Sequence, residues 1–339
     1  MGPLPMAVRP ADVSRPAIVA ATWSSHVPIW PGALAPSDMI VSDPGIIMTP
    51  PSLSRRAFTL TALASASLLM DTRLTAADTR RILVHGHRGA RARRPENTLP
   101  AFQYALDQGV DVLELDVAVT KDNVAVISHD PLINVTICSG PNPGVAIRSL
   151  TLAELHRYDC GAKRNPNFPD QVPIPGTRVP TLDEIFALGQ GNAVQFNVET
   201  KIFADKPELT PDPEAFTQLV LDQIRKHKLD DRVILQSFDA RTLRVMKRLA
   251  PSIRRAALFE KQQDWMAVAK EFDATLLSPE HRLVTPELVG QAHSAGFEVV
   301  PWTANRPTDW ARLADAGVDA IITDDPSALI AWLKARGLR

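Results

Sequence analysis

The sequence has two cysteines, two tyrosines, 6% aromatic residues and almost no excess of charge of either sign. A formal net charge of −1 lacks the basic surplus typical of chains that bind nucleic acid or anionic membranes, so we expect neither partner. No GxGxxG loop follows the first predicted strand, which disfavours an open dinucleotide-binding sheet. What is present, 45% hydrophobic and 22% charged residues in 339, is the composition of a globular protein with a sizeable core.

The amino-terminal part differs in composition from the rest of the chain. Residues 1–47 are rich in proline and poor in charge, and we expect them either to be disordered or to precede a true start at Met48. Residues 48–77 resemble a twin-arginine export signal, with Arg55-Arg56, an apolar run too short to span a bilayer, and small residues at Thr75-Ala76-Ala77. We therefore expect a periplasmic or secreted bacterial protein; an amphipathic helix that happens to contain two arginines is the alternative.

Residues 78–339 alternate short apolar runs with longer helical patterns, which predicts a parallel sheet covered by helices. Strands are predicted at residues 82–84, 112–117, 124–128, 193–198, 233–236, 255–259, 274–277, 298–302 and 320–323. Helices are predicted at residues 99–108, 182–188, 213–228, 240–249, 262–270, 286–295, 307–316 and 326–336. Eight strand–helix units in about 260 residues predict an α/β fold of the (β/α)8 TIM-barrel type.

One segment interrupts this alternation after the second strand region. Residues 131–180 are rich in Pro, Asn, Gly and Asp, and we expect them to form an insertion on the loop face with a short helix near residues 152–157. The segment contains Cys138 and Cys160. In an oxidising compartment these could form a disulfide closing a loop of about 20 residues; two free thiols are the alternative.

Carboxylates recur where predicted strands end, which is the active-site face of a parallel barrel. In Leu113-Glu114-Leu115-Asp116 the two carboxylates share one face, and at the next strand end Glu199 shares a face with Asn197 and Lys201. Three carboxylates at one barrel mouth fit a hard divalent cation with oxygen ligands, and Lys201 offers a charge for an anion. Inward salt bridges, Glu114 with Arg88 and Glu199 with Lys201, are the alternative.

Two histidines also lie where predicted strands end. His87 ends the first strand beside Arg88, and His129 ends the run at 124–128. Two histidines facing a metal ion and an arginine could act as general acid and base in phosphoryl transfer. His85 alternates with His87 and is expected to point inward, either at the site or as a hydrogen-bonded residue of the barrel. A rim loop that includes Arg91 is expected to steer an anionic substrate.

Taken together these motifs resemble the glycerophosphodiester phosphodiesterase family, in order and from about residue 82 to 330. The motifs are His87-Arg88-Gly89, Pro95-Glu96-Asn97-Thr98, Glu114-x-Asp116, Thr120-x-Asp122, His129-Asp130, Glu199-x-Lys201, Gln236-Ser237-Phe238, Trp302-Thr303-x-Asn305, Gly317-Val318-Asp319 and Thr323-Asp324-Asp325-Pro326.

The resemblance implies hydrolysis of glycerophosphodiesters to an alcohol and glycerol 3-phosphate with one Ca²⁺ or Mg²⁺ ion. The substrate's own glycerol hydroxyl would attack phosphorus, and the resulting cyclic phosphate would then be hydrolysed. Each role falls on a matching position of this chain: Glu114, Asp116 and Glu199 as metal ligands, His87 and His129 as the acid/base pair, Arg88 and Lys201 at the phosphate, Glu96 and Asn97 at the entry, and Trp302 against the glycerol.

The sequence fits three other functions less well. A phosphoinositide-type phospholipase C would lack the Pro-Glu-Asn-Thr segment, and a sphingomyelinase-type phospholipase D needs an apolar rim that 6% aromatic residues support poorly. A non-catalytic barrel that binds phosphodiesters should have lost at least one histidine or carboxylate of the set, and all are present. Neither the head group nor the oligomeric state is indicated by the sequence.

Overall fold

The computed structural model describes residues 81–339. The extension predicted at residues 1–47 and the export signal predicted at 48–77 lie outside the described residues. Within residues 81–339, every helix is too short or too polar to serve as a bilayer span.

Eight parallel strands form the barrel predicted from the sequence. The barrel strands are β1 Leu83–Gly86, β2 Val112–Val119, β4 Gln195–Thr200, β5 Val233–Ser237, β6 Arg254–Phe259, β7 Leu276–Pro279, β8 Glu298–Val299 and β9 Ala320–Thr323; β3 lies outside the barrel. Their order around the sheet is β8-β7-β6-β5-β4-β2-β1-β9, and backbone hydrogen bonds from Asp319 N to Val299 O and from Ile322 N to Pro301 O link the two ends. The prediction of a TIM barrel is confirmed.

Helices follow most barrel strands and cover the outer face of the sheet. They are α1 Leu99–Gln108, α2 Leu152–Leu155, α3 Leu182–Leu188, α4 Pro213–Lys226, α5 Ala240–Leu249, α6 Trp265–Glu271, α7 Pro286–Ser294, α8 Pro307–Ala316 and α9 Pro326–Lys334, with short 3₁₀ helices at Ile147–Ser149, Pro207–Leu209 and His281–Leu283. Four have the predicted bounds because local signals fix their ends, as where the Thr181 side chain accepts from Glu184 N at the start of α3.

The strand predicted at 124–128 lies outside the barrel. β3, Ala125–Ile127, pairs antiparallel with the end of β2, and Val117 lies opposite Ile127. A turn at Thr120 to Asn123 joins the two strands, and Asn123 has a φ of 60°, a conformation that asparagine tolerates better than most residues. The hairpin extends β2 beyond the barrel, and His129, which follows β3, lies at the barrel mouth.

The insertion, residues 131–180, has a small hydrophobic core of its own. Its buried side chains pack with Ala118 and Val126 of the hairpin, and they include Ile133, Cys138, Ile147, Leu150, Leu155, Tyr158, Cys160 and Val179. Cys138 and Cys160 are joined in a disulfide, with an S–S distance of 2.06 Å. The short helix expected near residues 152–157 is α2. The disulfide closes a loop within the insertion, and this core packs the insertion against the β2–β3 hairpin.

His85 lies inside the barrel, below the mouth. It is 2% exposed, and the Asn197 Nδ2 atom lies 3.4 Å from its Nδ1 atom. Burial lowers the pKa of His85 to about 3, so the side chain is neutral in the folded protein. His85 is therefore a residue of the barrel interior.

We predict that His85 contributes to acid denaturation. Its folded pKa lies below the value of about 6.5 in the unfolded chain, so between those values the unfolded chain binds a proton that the folded protein does not. Stability due to this group is complete above pH 6.5 and falls by up to about 1.4 kcal/mol per pH unit below it. The free energy of unfolding in urea is measured at pH 7, 6, 5 and 4.5 for the wild type and for His85→Leu, each relative to its own value at pH 7. It should decline less steeply in His85→Leu than in the wild type. Identical slopes for the two proteins would contradict this assignment.

Candidate active site

The turn after β1 places His87 and Arg88 at the barrel mouth. It requires glycine on either side of them, since a Cβ atom at Gly86 would lie 2.3 Å from Gly89 O, and Gly89 has a φ of 83°. Arg88 itself has a φ of 50°, which is uncommon for a side chain of its size. Its backbone N–H donates to Glu114 Oε2 at 3.0 Å, so the unusual conformation binds the loop to β2.

Three carboxylates meet at the ends of β2 and β4. In the parallel register Glu114 lies opposite Asn197 and Asp116 opposite Glu199, so all of these side chains point into the barrel. Glu114, Asp116 and Glu199 are 2%, 1% and 6% exposed, and one oxygen atom from each lies within 4.8 Å of the others. The strand alternation read from the sequence thus produces a compact acidic cluster.

This cluster has the electrostatic properties of a cation site. Burial, followed by the charges of Asp116 and Glu199, raises the pKa of Glu114 well above its usual range. Burial would also raise the pKa of Asp116, but Lys201 and Arg88 outweigh it and hold that pKa well below its usual range. Asp116 Oδ1 is buried and accepts no hydrogen bond, and Lys201 Nζ lies 3.4 Å away as an ion-pair partner. A carboxylate oxygen without a hydrogen bond among three acidic side chains fits a hard divalent ion.

Lys201 and Arg88 supply positive charge to the cluster, one at each carboxylate oxygen of Asp116. Lys201 Nζ lies 2.6 Å from Glu199 Oε1 and 3.4 Å from Asp116 Oδ1. Arg88 Nε lies 3.1 Å from Asp116 Oδ2, and its Nη1 donates to Glu96 Oε1 at 2.6 Å. The Glu199–Lys201 ion pair that was the structural alternative is therefore present, alongside the acidic cluster.

His87 is held by a carboxylate from the opposite end of the chain. Its Nδ1 lies 2.5 Å from Asp324 Oδ1, and its Nε2 lies 3.9 Å from Glu114 Oε2. Burial, reinforced by Arg91, lowers the pKa of His87 to about 4 although Asp324 opposes this. Asp324 is in turn fixed by Arg91 Nε at 2.6 Å and by Asn305 Nδ2 at 2.7 Å.

Sequence reasoning gave no role to Asp324 or Asn305, although both lie in quoted motifs. Burial would raise the pKa of Asp324, but His87 and Arg91 outweigh it and lower that pKa. The structure also ties Arg91, expected at a steering rim, to Asp324. The only signal in the sequence was the position of Asp324 directly after an apolar strand.

His129 has a similar arrangement at a more exposed place. Its Nδ1 lies 2.8 Å from Asp130 Oδ1, and Asn134 Nδ2 donates to Asp130 Oδ2 at 2.7 Å. The His129 side chain is 37% exposed, against 11% for that of His87. In both histidines Nδ1 is occupied by a carboxylate, and Nε2 is left for other partners.

A second set of polar residues supports Glu114 from within the barrel. Gln236 Nε2 donates to Glu114 Oε1 at 2.6 Å, and Asn197 Nδ2 donates to Gln236 Oε1 at 2.9 Å. Gln236 and Asn197 are each 1% exposed. This chain of amides fixes the orientation of one carboxylate of the cluster, and the sequence had indicated Gln236 only as part of a motif.

One cavity at the mouth, here called the main cavity, brings most predicted site residues together. It has a volume of about 140 Å³. Trp302 forms its apolar side, packing edge-to-face against Phe238 with 5.4 Å between ring centroids while its Nε1 donates to Ser278 O at 2.9 Å. The predicted residues that line the main cavity are His87, Arg88, Glu114, His129, Glu199, Lys201 and Trp302.

Glu96 and Asn97 take different places from the rest. They line a neighbouring space, here called the second cavity, which also contacts the Cys138–Cys160 disulfide. Glu96 contacts the main cavity only through Arg88, and Asn97 Nδ2 donates to Asp116 Oδ2 at 2.9 Å. Asp116 belongs to the acidic cluster but does not line the main cavity. Glu96 and Asn97 therefore contact the site through Arg88 and Asp116.

Known proteins share both the sequence and the fold of this chain. The sequence model of the glycerophosphoryl diester phosphodiesterase family matches residues 87–328. The glycerophosphodiester phosphodiesterase of Caldanaerobacter subterraneus subsp. tengcongensis is 34% identical over 257 residues, which are 75% of this chain and 99% of that protein. A Bacillus subtilis glycerophosphodiester phosphodiesterase is 29% identical over 263 residues, 73% of this chain and 84% of that one.

Solved structures show the same architecture. A proposed glycerophosphoryl diester phosphodiesterase of Silicibacter pomeroyi DSS-3 superimposes with a TM-score of 0.72 at 30% identity, covering 76% of this chain and 95% of that one. An Oleispira antarctica phosphodiesterase, in complex with the product sn-glycerol-3-phosphate, has a TM-score of 0.64 at 24% identity over 74% of this chain and 96% of that one, and supports the fold. The predicted family is confirmed: this chain belongs to the glycerophosphoryl diester phosphodiesterase family, whose members are phosphoric diester hydrolases.

Proposed function

We propose that this chain hydrolyses glycerophosphodiesters to an alcohol and sn-glycerol 3-phosphate, using a divalent cation and the histidine pair His87 and His129. The observation that carries the proposal is the main cavity. It brings two carboxylates of the acidic cluster, three cationic side chains and two carboxylate-bound histidines to one space beside an aromatic wall. The protein's family membership supports the same substrate class.

Glu114, Asp116 and Glu199 would hold Ca²⁺ or Mg²⁺. Carboxylate oxygens suit either ion. The observation that favours a bound ion is the buried Asp116 Oδ1 atom, which accepts no hydrogen bond. When bound, the ion supplies positive charge for the phosphate oxygens and lowers the pKa of a hydroxyl group that it contacts.

The positive side chains would bind the phosphate. Arg88 and Lys201 both line the main cavity, and each already faces the acidic cluster. Their charges stabilise the negative charge that grows on the phosphate oxygens in the transition state. Trp302 lines the same cavity as the two histidines and would pack against the glycerol part of the substrate.

Proton transfer would be divided between the histidines. His87, kept neutral by burial, takes the proton of the glycerol hydroxyl as that oxygen attacks phosphorus. His129 donates a proton to the head-group oxygen as its bond to phosphorus breaks. In the second stage the roles reverse: a water molecule, deprotonated by His129, opens the cyclic phosphate, and His87 returns a proton to the glycerol oxygen.

Two carboxylates would act as positioning residues for this pair. Asp324 at His87 Nδ1 and Asp130 at His129 Nδ1 each fix the ring so that Nε2 is available for the substrate. Asn305 and Asn134 hold these carboxylates in turn.

We also propose that the protein is exported. The disulfide between Cys138 and Cys160 fits an oxidising compartment, and residues 48–77 resemble a twin-arginine signal. Fractionation of cells that express the full chain should place a product starting near residue 78 in the periplasm or medium, with Arg55→Lys/Arg56→Lys retained in the cytoplasm. Equal export of both proteins would contradict the proposal.

Removal of the metal should abolish activity. We expect the purified protein to release glycerol 3-phosphate from glycerophosphocholine, to stop in chelator, and to recover with either Ca²⁺ or Mg²⁺. The restoring ion should also raise the melting temperature, since it binds the folded cluster and not the unfolded chain. Glu199→Gln keeps an oxygen for Lys201 but should lose both responses. Full activity in chelator, with no thermal shift on adding either ion, would refute the metal assignment.

The histidine system gives a graded prediction. His129→Ala should lower kcat by about 10²- to 10⁴-fold, because a general acid is lost. Asp324→Asn should lower kcat by about 10- to 100-fold with KM within a few-fold, because it disturbs the orientation of His87 and not the binding residues. Asp325→Asn is the matched control, since Asp325 contacts Arg93 and not a histidine. Unchanged kcat in His129→Ala would remove the acid/base assignment.

A further inference from the structure

The second cavity adjoins the main cavity at one residue. Among the described residues that line them, His129 is the one shared by both. A general acid must lie at the oxygen to which it gives its proton. If His129 protonates the leaving oxygen, the departing alcohol lies next to this histidine, on the side away from Trp302.

The two cavities differ in charge. The main cavity contains Arg88, Arg91 and Lys201. Among the residues described, those that line the second cavity include the carboxylates Glu96 and Asp130 but neither lysine nor arginine.

The two carboxylates are not equally neutralised. Glu96 Oε1 pairs with Arg88, while its Oε2 accepts from the neutral amide of Asn165 at 3.2 Å. Asp130 keeps His129 as its partner at 2.8 Å, because a general acid must carry the proton that it gives to the leaving oxygen. A substrate phosphate would draw on the charge of Arg88 and leave Glu96 less compensated. The second cavity is thus suited to a cation.

Part of the wall of the second cavity is apolar. Ile127, Ile133, Ile137 and Val179 line that part together with the disulfide. The cavity volume is about 30 Å³, against about 140 Å³ for the main cavity. The second cavity is thus the narrower of the two.

We propose that the second cavity is the head-group subsite, and that it selects a short alcohol ending in a primary ammonium group, of the ethanolamine type. The inference rests on the proposed function, in which His129 protonates the leaving oxygen. The two-carbon chain would lie along the isoleucine side chains, and the ammonium group would lie beside Glu96. A trimethylammonium group adds three methyl groups and has no N–H to donate to a carboxylate.

The wild-type protein tests this with three esters of glycerol 3-phosphate. The ethanolamine ester carries the ammonium group, the 2-hydroxyethyl ester is its uncharged counterpart of equal size, and the choline ester is its larger counterpart. We expect kcat/KM for the ethanolamine ester to exceed that of each of the others by about tenfold or more, as one ion pair near a protein surface supplies. Equal values, or a preference for the uncharged ester, would overturn the inference. Hydrolysis of none of the three, with the metal present, would instead refute the proposed function.

A variant outside the catalytic set separates charge from shape. Ile137→Lys introduces a positive charge at the wall of the second cavity, and Ile137→Met is the neutral control of similar length. The preference for the ethanolamine ester over the 2-hydroxyethyl ester should fall about tenfold in Ile137→Lys and persist in Ile137→Met. An unchanged ratio in a folded Ile137→Lys protein would contradict the charge argument. If that variant does not fold, the wild-type ratio decides alone.

Discussion

Repulsion among three buried carboxylates is the constraint on which the site depends. Glu114, Asp116 and Glu199 offer oxygen atoms within 4.8 Å of one another in the barrel mouth, where little water reaches them. Such a cluster is costly unless positive charge lies among it. Lys201 and Arg88 provide part of that charge. The site is thus prepared for a further cation, and the side chains that balance the cluster are those suited to bind a phosphate.

The two histidines show how one arrangement can serve two tasks. In each, a carboxylate occupies Nδ1 and an asparagine amide holds the carboxylate. His87 is buried beside Arg91 and has a low pKa, whereas His129 is over a third exposed and stands where the barrel meets the insertion. Difference in burial, more than in hydrogen bonding, therefore separates the proposed base from the proposed acid.

The insertion connects the stability of the fold to substrate choice. Its core and its disulfide form one wall of the second cavity, while the loop after β1 supplies Glu96 and the β2–β3 hairpin leads to His129. In a TIM barrel, loops after the strands carry specificity while the strands carry the common chemistry. In the proposal made above, the loop after β3 would carry specificity next to the leaving group.

The sequence by itself determined the elements and much of the chemistry. Helix periodicity and end signals are local, so α1, α3, α5 and α8 have the predicted bounds. The alternation of side chains along a strand is also local, and it placed Glu114 and Asp116 on one face. Tertiary structure alone decided which distant residues meet: Asp324 lies 237 positions from His87, and Gln236 lies 122 from Glu114. Closure of the barrel brings these pairs together, and no local pattern records the register of that closure. The second cavity could not be predicted from the sequence for the same reason, because residues of the barrel and of the insertion form it together.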